Sequence, residues 1–454
     1  MIFRSFVEVL KNKKIAFIGV GISHTDAIRM FARNGANLLV LDKKAMSGAI
    51  REEFENLSIE GRTGEKYLGK LDADIYFRTP GIPFDSEMIR RLRKNDKIVT
   101  SELEVFFELC AGRIIGVTGS DGKTTTTTLI YEILKQAGKK VHIGGNIGLP
   151  LLARVDEIEC DDFVVVELSS FQLESMRVSP DIAVITNISE NHLNVHKTME
   201  NYVAAKKNII LHQNGFSRTV LNAGDNYTSE FAELVRGQLV LFGGSRNSNV
   251  FAEGGKIWSG SEEVLEIGDI KLRGQHNVQN FMAAIAATSE WATAADIKKV
   301  ATGFGGVEHR IEFCGKMNKA ACFNDSIATT PLRTMAGLAS FEEPIVLIAG
   351  GSDKGLCFDE LGDAIAKRVK CLIVTGETGP KIKEAAEKSQ FFKALDVFEA
   401  AELGTAVEIA KEHLQEGDVL LFSPASASFD KYKNFEERGE HFKKIIAQFD
   451  DKDS

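Results

Sequence analysis

The 454-residue sequence contains no Cys-x-x-Cys pair. Its six cysteines, Cys110, Cys160, Cys314, Cys322, Cys357 and Cys371, are scattered singly. That excludes a disulfide framework or a zinc knuckle built on paired thiols, and predicts free, mostly buried thiols. No charge-free apolar run approaches the roughly 18 residues that a membrane span requires. The opening MIFRSFVEVLKNKK lacks the apolar core and cleavage site of a secretory signal, so a cytoplasmic protein with no membrane partner is expected. A basic excess is also missing: 55 lysines and arginines face 64 acidic residues, for a net charge of −9. This argues against a nucleic-acid partner, and anionic ligands would need locally placed cations. There is no internal repeat and no low-complexity segment.

What is present is a balanced mixture, 44% hydrophobic and 26% charged, at a length that suggests about three domains of roughly 100 to 200 residues. Three regions show short apolar strands ending in glycine-rich or polar turns that lead into helical patterns, the signature of α/β architecture with mostly parallel sheets. They are KIAFIGVGISHTDAIRMFARNGANLLVLDKK; the run from RIIGVTGSDGKTT through DDFVVVELSS and DIAVITNIS; and PIVLIAGGSDKG, CLIVTGETG and DVLLFSPASAS. Boundaries are placed near residues 103 and 306, giving domains 1–103, 104–306 and 307–454. Residues 215–272, with short alternating runs, read as a small β excursion in the middle domain.

The segment IIGVTGSDGKTT raises the sharpest chemical expectation. A strand, Ile114 to Val117, and a helix from Thr124 flank Gly119, Ser120, Asp121, Gly122 and Lys123. Glycines let backbone N–H groups face an anion, a helix N-terminus adds partial positive charge, and a lysine and a threonine hydroxyl can meet phosphate and Mg²⁺. Val117 stands where a strict Walker A motif has its first glycine, leaving a shorter T-G-x-x-G-K-T form. Glu167, directly after FVVV, is placed at a strand end, where a metal-binding carboxylate belongs. His192 follows the next strand, IAVITNI, and Lys206 and Lys207 lie on the helix after it. His196 reads as an ordinary core or surface histidine, and Lys206, on composition alone, as an exposed helix lysine.

The motifs TGSDGKTT, GGNIG, ELSSFQLE, NISENHL, YVAAK, HNVQN, EHRIE, NDSIATTP and SPASASFDKYKNFEERG occur in this order along nearly the whole chain, and the sequence resembles the Mur ligases. The resemblance implies three α/β domains: a Rossmann-like N-terminal domain binding a UDP-sugar, a central P-loop ATPase-like domain, and a Rossmann-like C-terminal domain binding an amino acid. It implies an ATP-dependent amide ligase of cytoplasmic peptidoglycan precursor synthesis, acting through an acyl phosphate; a monomer is expected, although the sequence itself does not give the oligomeric state. The last motif and the dinucleotide-like first domain favour D-glutamate and UDP-N-acetylmuramoyl-L-alanine as its small-molecule substrates.

Matching motif by motif, the resemblance gives Lys123 to the transferring phosphoryl group and Thr124 and Glu167 to a first Mg²⁺. A second Mg²⁺ would take His192 and Lys206, which in this family is carbamylated. Gly119 to Thr125 would form the ATP phosphate loop, Thr125 included. Asn277 and Asn280 match adenine-side residues, although Asn277 equally suits a helix N-cap. His309 and Arg310 open the third domain, Arg310 reaching the γ-phosphate and Asp325 contacting nucleotide, so the site would be complete only after closure. Gly21, Ile22, Ser23, Asp42, Lys43, Lys44, Thr79, Pro80, Gly81 and Asn146 fall to the UDP-sugar. Thr329, Lys354, Ser428, Phe429 and Phe435 fall to the amino acid; by themselves Ser428 reads as a helix cap and Phe435 as a core aromatic.

Two departures stand out. Ile327 replaces the lysine common in NDSKAT, with Lys354 or Lys431 as possible substitutes, and Asn191 and Asn194 replace frequent acids near the second metal. Rival readings are another amino-acid ligase of the same kind, disfavoured for diamino acids by the absence of D-N-P-R; an NAD-dependent oxidoreductase resting on GVGISH, weakened because His24 stands at the third glycine; and a non-catalytic nucleotide-binding regulator.

Overall fold

A computed structural model describes residues 2–20, 22–43, 46, 48–148, 150–191, 193–272, 274–353, 356–392 and 395–450. The chain forms two compact units, residues 1–270 with 275–303, and residues 271–274 with 304–454.

The first unit carries two sheets. The N-terminal one contains β1 (Lys14–Ile18), β2 (Asn37–Asp42), β3 (Glu60–Thr63), β4 (Ile75–Arg78) and β5 (Ile98–Thr100), all parallel in the order β3-β2-β1-β4-β5. The second contains β6 (Arg113–Thr118), β7 (Val141–Gly145), β8 (Phe163–Glu167), β9 (Ile182–Ile185), β10 (Arg218–Asn222), β11 (Gln238–Phe242), β12 (Val250–Glu253), β13 (Lys256–Ser259) and β14 (Glu262–Glu266). Its order is β14-β13-β12-β11-β10-β9-β6-β8-β7. Strands such as β8 are buried at every position, because a parallel strand covered on both faces needs an apolar run in place of alternation.

Residues 215–272 carry the expected run of short strands, and these extend the middle sheet. β10 and β11 extend the parallel sheet, and β12 to β14 finish it as an antiparallel meander.

One apolar core runs through both sheets. It includes Phe3, Phe17, Phe31 and Phe77 beside the first, continues through Leu103, Val105 and Phe106, and reaches Leu152, Val164 and Ile185 in the second. The connecting helix Glu102–Leu109 contains residue 103 in its first turn. Arg78 makes a polar link inside this apolar surrounding. It is 1% exposed, and its guanidinium donates to the Ile82 carbonyl (2.5 Å), the Phe171 carbonyl (3.1 Å) and Ser175 Oγ (2.9 Å).

The second unit is built on β15 (Glu312–Met317), β16 (Ala320–Asn324), β17 (Ile345–Gly350), β18 (Val369–Thr375), β19 (Asp396–Ala400) and β20 (Val419–Phe422), ordered β15-β16-β20-β17-β18-β19. Only the β15–β16 pair is antiparallel. Separate cores lie around Ile348, Ile373 and Leu420 and around Leu347, Leu372 and Leu421, as alternating residues of a parallel strand require.

The cysteine expectation is half right. All six thiols are free, but only Cys322 and Cys371 are buried, while Cys160 and Cys357 are exposed. Among the described residues no helix is long and apolar enough to cross a membrane.

Candidate active site

The phosphate loop joins β6 to the helix Lys123–Gln136, which begins one residue earlier than predicted. Gly122 occupies the N-cap with φ +74°, and a Cβ there would overlap Asn280 Oδ1. At Gly119 a Cβ would overlap Thr186 Oγ1. Both glycines are thus required by close approach as well as by backbone freedom. Asn280 accepts from Thr126 Oγ1 (3.3 Å) and donates to Asn277 Oδ1 (3.0 Å). Asn277 lies inside the helix Gln275–Thr288, so it is no N-cap.

Two lysines converge on the loop. Lys123 Nζ donates to the carbonyls of Gly119 (2.9 Å) and Ser120 (2.8 Å). Lys206 Nζ donates to the same Gly119 carbonyl (2.6 Å) and sits 4.7 Å from the centroid of the Tyr202 ring. Lys206 is 1% exposed, correcting the compositional expectation of a solvated lysine. Burial first, and the neighbouring Lys123 second, hold its amine well below the usual lysine range.

Glu167 ends β8, fully buried. Its Oε1 accepts from Asn146 Nδ2 (2.8 Å), whereas its Oε2 is buried with no hydrogen-bond partner among the described residues. A carboxylate oxygen left in this way fits a hard cation that wants oxygen ligands. His196 is buried, bonded to Ser170 Oγ (2.9 Å) and stacked on Phe171, so of the core and surface readings left open by the sequence it takes the core one. Thr124 and Thr125 open the helix as buried residues.

At the first sheet, the turn after β1 carries Gly19 at φ +88°, where a Cβ would meet Thr79 Cγ2 at 2.6 Å. Asp42 Oδ2 accepts from the Val20 N–H (2.6 Å), closing this turn. Thr79 Oγ1 accepts from the Gly81 N–H (3.2 Å) across Pro80. Asp42 and Thr79 thus both meet the Gly19 turn, and Lys43 follows as an exposed residue. Ile22 and Ser23 open the helix Ile22–Arg33. His24 is packed within that helix, bonded to the Gly19 carbonyl (2.8 Å), and burial lowers its pKa to about 4.

In the second unit Asp325 is buried and accepts from Ser423 Oγ (2.7 Å). Burial raises its carboxyl to about 7, opposed by Ser423 and the nearby Arg310. His309, at φ +62°, meets Asn324 Nδ2 (2.9 Å) and the edge of Phe435. Ser428 is buried in a turn, where its carbonyl accepts from Tyr432 N–H (2.9 Å). The helix Phe435–Asp450 begins seven residues later, so Ser428 caps nothing. Phe435 is half-buried, Thr329 is half-buried, and Phe429 is exposed. Lys431 is paired with Glu402 and the Ala401 carbonyl. Gly21, Lys44, His192 and Lys354 lie outside the described residues.

Sequence reasoning missed several organising residues. Arg438 donates to Ser326 Oγ (3.0 Å) and to the carbonyls of Ser326, Ser426 and Ala427. Ser326 Oγ in turn donates to the Phe435 carbonyl (2.8 Å). Arg438 therefore fastens the loops bearing Thr329 and Ser428. Tyr202, Thr186, Asn187 and Ser189 surround the phosphate loop in the same manner. Their partners lie 65 to 82 residues away in sequence, so no local motif reveals them.

Comparison with known proteins fits this arrangement. The Mur ligase middle domain matches residues 117–288, and the Mur ligase glutamate ligase domain matches residues 309–426. A protein of Acetivibrio thermocellus named UDP-N-acetylmuramoylalanine--D-glutamate ligase is 47% identical over 457 residues, covering 97% of each chain. The chain belongs to the Mur ligases. A Clostridium botulinum protein of the same name is 42% identical to this Mur ligase, covering 98% of each chain. Solved structures show the same fold: MurF from Acinetobacter baumannii has a TM-score of 0.62 at 19% identity, covering 99% of this chain and 98% of that one. UDP-N-acetylmuramate-alanine ligase MurC from Thermotoga maritima has a TM-score of 0.58 at 21% identity, covering 96% and 99%.

Proposed function

We propose that this Mur ligase is an ATP-dependent amide ligase that joins D-glutamate to UDP-N-acetylmuramoyl-L-alanine in cytoplasmic peptidoglycan precursor synthesis. The observation that carries the reading is the phosphate loop with two lysines on its carbonyls and the buried Glu167 nearby in the same sheet, in a chain alike over its whole length to relatives of that name. The chain acts as a monomer with domains 1–103, 104–306 and 307–454.

A carboxylate is a poor electrophile because its oxyanion will not leave. Transfer of the γ-phosphoryl group from ATP to the L-alanyl carboxylate forms an acyl phosphate and ADP. Attack by the free amine of D-glutamate then forms the amide C–N bond, breaks the C–O bond to phosphate, and releases phosphate and the amine proton. Electrostatic stabilisation dominates the first step, in which negative groups approach one another. Lys123 exchanges its loop carbonyls for phosphate oxygens, while Gly119 to Thr125 line the phosphates and Asn277 and Asn280 the adenine side. Arg310 and Asp325 serve the nucleotide.

Thr124 and Glu167 would hold a Mg²⁺, which neutralises phosphate charge when bound. His192 and Lys206 would hold a second after the Lys206 amine adds CO₂, forming an N–C bond and releasing a proton to leave a carbamate anion. Its burial favours the neutral amine that this addition needs. Gly21, Ile22, Ser23, Asp42, Lys43, Lys44, Thr79, Pro80, Gly81 and Asn146 bind the UDP-sugar, and Thr329, Lys354, Ser428, Phe429 and Phe435 the amino acid.

The deciding experiment is phosphate release from MgATP with UDP-N-acetylmuramoyl-L-alanine, comparing D-glutamate, L-glutamate, L-alanine and no amino acid. Release that requires both the nucleotide sugar and D-glutamate is expected. Release with another amino acid overturns the substrate, and no release in any arm overturns the ligase reading.

A further inference from the structure

The first half of the phosphate loop does not present its amides to solvent. The Ser120 N–H donates to the Asn187 carbonyl (2.9 Å), and the Asp121 N–H donates to Asn187 Oδ1 (3.0 Å). Asn187 Nδ2 returns a bond to the Asp121 carbonyl (3.1 Å), which also accepts from Thr186 Oγ1 (2.6 Å). One side-chain amide thus satisfies both backbone groups of Asp121, as a neighbouring strand would.

Asn187 is itself held from the other side. Asn222 Nδ2 donates to the Thr186 carbonyl (2.9 Å), and the Ile188 N–H donates to Asp225 Oδ2 (2.8 Å). Ser189 closes the arrangement: its N–H donates to Ser120 Oγ, which donates to the Ser189 carbonyl, both at 2.9 Å. The clasp therefore spans β10, the end of β9 and the loop after β6.

We infer that Asn187 is a positioning residue for nucleotide binding: it ties down Ser120 and Asp121 so that the phosphates are met by the opening turn of the helix Lys123–Gln136. That turn is suited to the role because the first amides of a helix have no intrahelical acceptor. The inference deepens the ATP reading above and rests on it. It also explains the asparagine. Aspartate would accept from the Asp121 N–H but lacks a donor for its carbonyl, and would add negative charge beside the phosphates.

The test measures AMP-PNP binding with Mg²⁺ by calorimetry in the full chain and in Asn187→Ala and Asn187→Asp, alongside UDP-N-acetylmuramoyl-L-alanine binding and amide exchange. Loss of two positioning hydrogen bonds should weaken AMP-PNP about tenfold in the alanine variant, and more in the aspartate variant. UDP-sugar affinity should stay within about twofold of the parent, since all but Asn146 of the residues assigned to that ligand belong to loops of the first sheet and the Asn187 side chain bonds to Asp121 and Thr186 instead. Exchange at Asp121, whose amide loses its side-chain acceptor, should accelerate in the alanine variant, while Ser120, bonded to the backbone carbonyl of residue 187, and β6 stay protected. Unchanged AMP-PNP affinity in both variants, or equal loss for both ligands, overturns the positioning role. The near-isosteric aspartate variant keeps the question decidable if the alanine variant folds poorly. A parent chain that binds no AMP-PNP refutes the ATP reading itself, and the positioning role with it, before any variant is compared.

Discussion

At the scale of single residues, Lys206 combines features that ordinarily conflict. A lysine pays heavily for burial when charged, and proteins avoid this unless it is paired or made neutral. Here the amine has the Gly119 carbonyl and the Tyr202 ring as neighbours and a second cation, Lys123, on the same carbonyl. Its folded pKa is depressed well below the ordinary value. Between that depressed value and the unfolded value of about 10.4, the unfolded chain binds the extra proton. Stability from this group is therefore greatest above the unfolded pKa and is lost as pH falls toward the folded one. Lys206→Met should flatten that part of the pH–stability profile, as measured by denaturant titration, and an unaltered slope would show that the amine is not desolvated in solution. If a carbamate is the working form, Lys206→Ala should regain part of its ligation activity with short-chain carboxylates.

Elements differ in how much of their role the sequence betrays. The phosphate loop was legible because strand, glycines, lysine and helix are contiguous, and the observed bounds fall within a residue or two of those predicted. Glu167 was legible for the same reason, standing at the end of an unbroken apolar strand. Burial of Lys206, the clasp by Asn187 and the gathering of loops by Arg438 were not, because each depends on a partner 66 to 112 residues away in sequence. The turn Leu152–Glu157 belongs to this second group. Glu102, buried at the start of the helix Glu102–Leu109, accepts from the Leu152 N–H at 2.7 Å. Burial raises its carboxyl to about 7, against backbone bonds from Leu152 and Leu151 that lower it. The folded chain then holds a proton that the unfolded chain releases near 4.5. Stability from Glu102 is complete below that pH and falls as pH rises through about 7, by about 3 kcal/mol in all at 1.36 kcal/mol per unit. Glu102→Gln should be more stable than the parent at pH 8, with the difference vanishing near pH 4.5. Equal stability of the two chains at both pH values would refute the protonated state.

On the scale of the whole molecule, sheets and cooperative units do not correspond one to one. The sequence suggests three regions and the described residues form three sheets, but the cores of the first two are continuous through Leu103, Val105 and Phe106. Arg78 adds a buried polar tie from β4 to the Phe171 and Ser175 segment. The second unit keeps its own cores around β17, β18 and β20. Cooperativity follows shared buried surface, since elements that share a core cannot lose it independently. Unfolding should therefore resolve into two transitions, with the first two sheets melting together. Phe106→Ala, which opens a cavity in the shared core, should lower the first unit's transition by about 3 to 5 kcal/mol and leave the second in place. AMP-PNP with Mg²⁺ should raise the same transition that Phe106→Ala lowers, because binding to a folded unit stabilises that unit by mass action. Differential scanning calorimetry checks all three statements. Three separable transitions, with Phe106→Ala moving only one of the two assigned to the first unit's sheets, would show that the shared apolar core does not couple them.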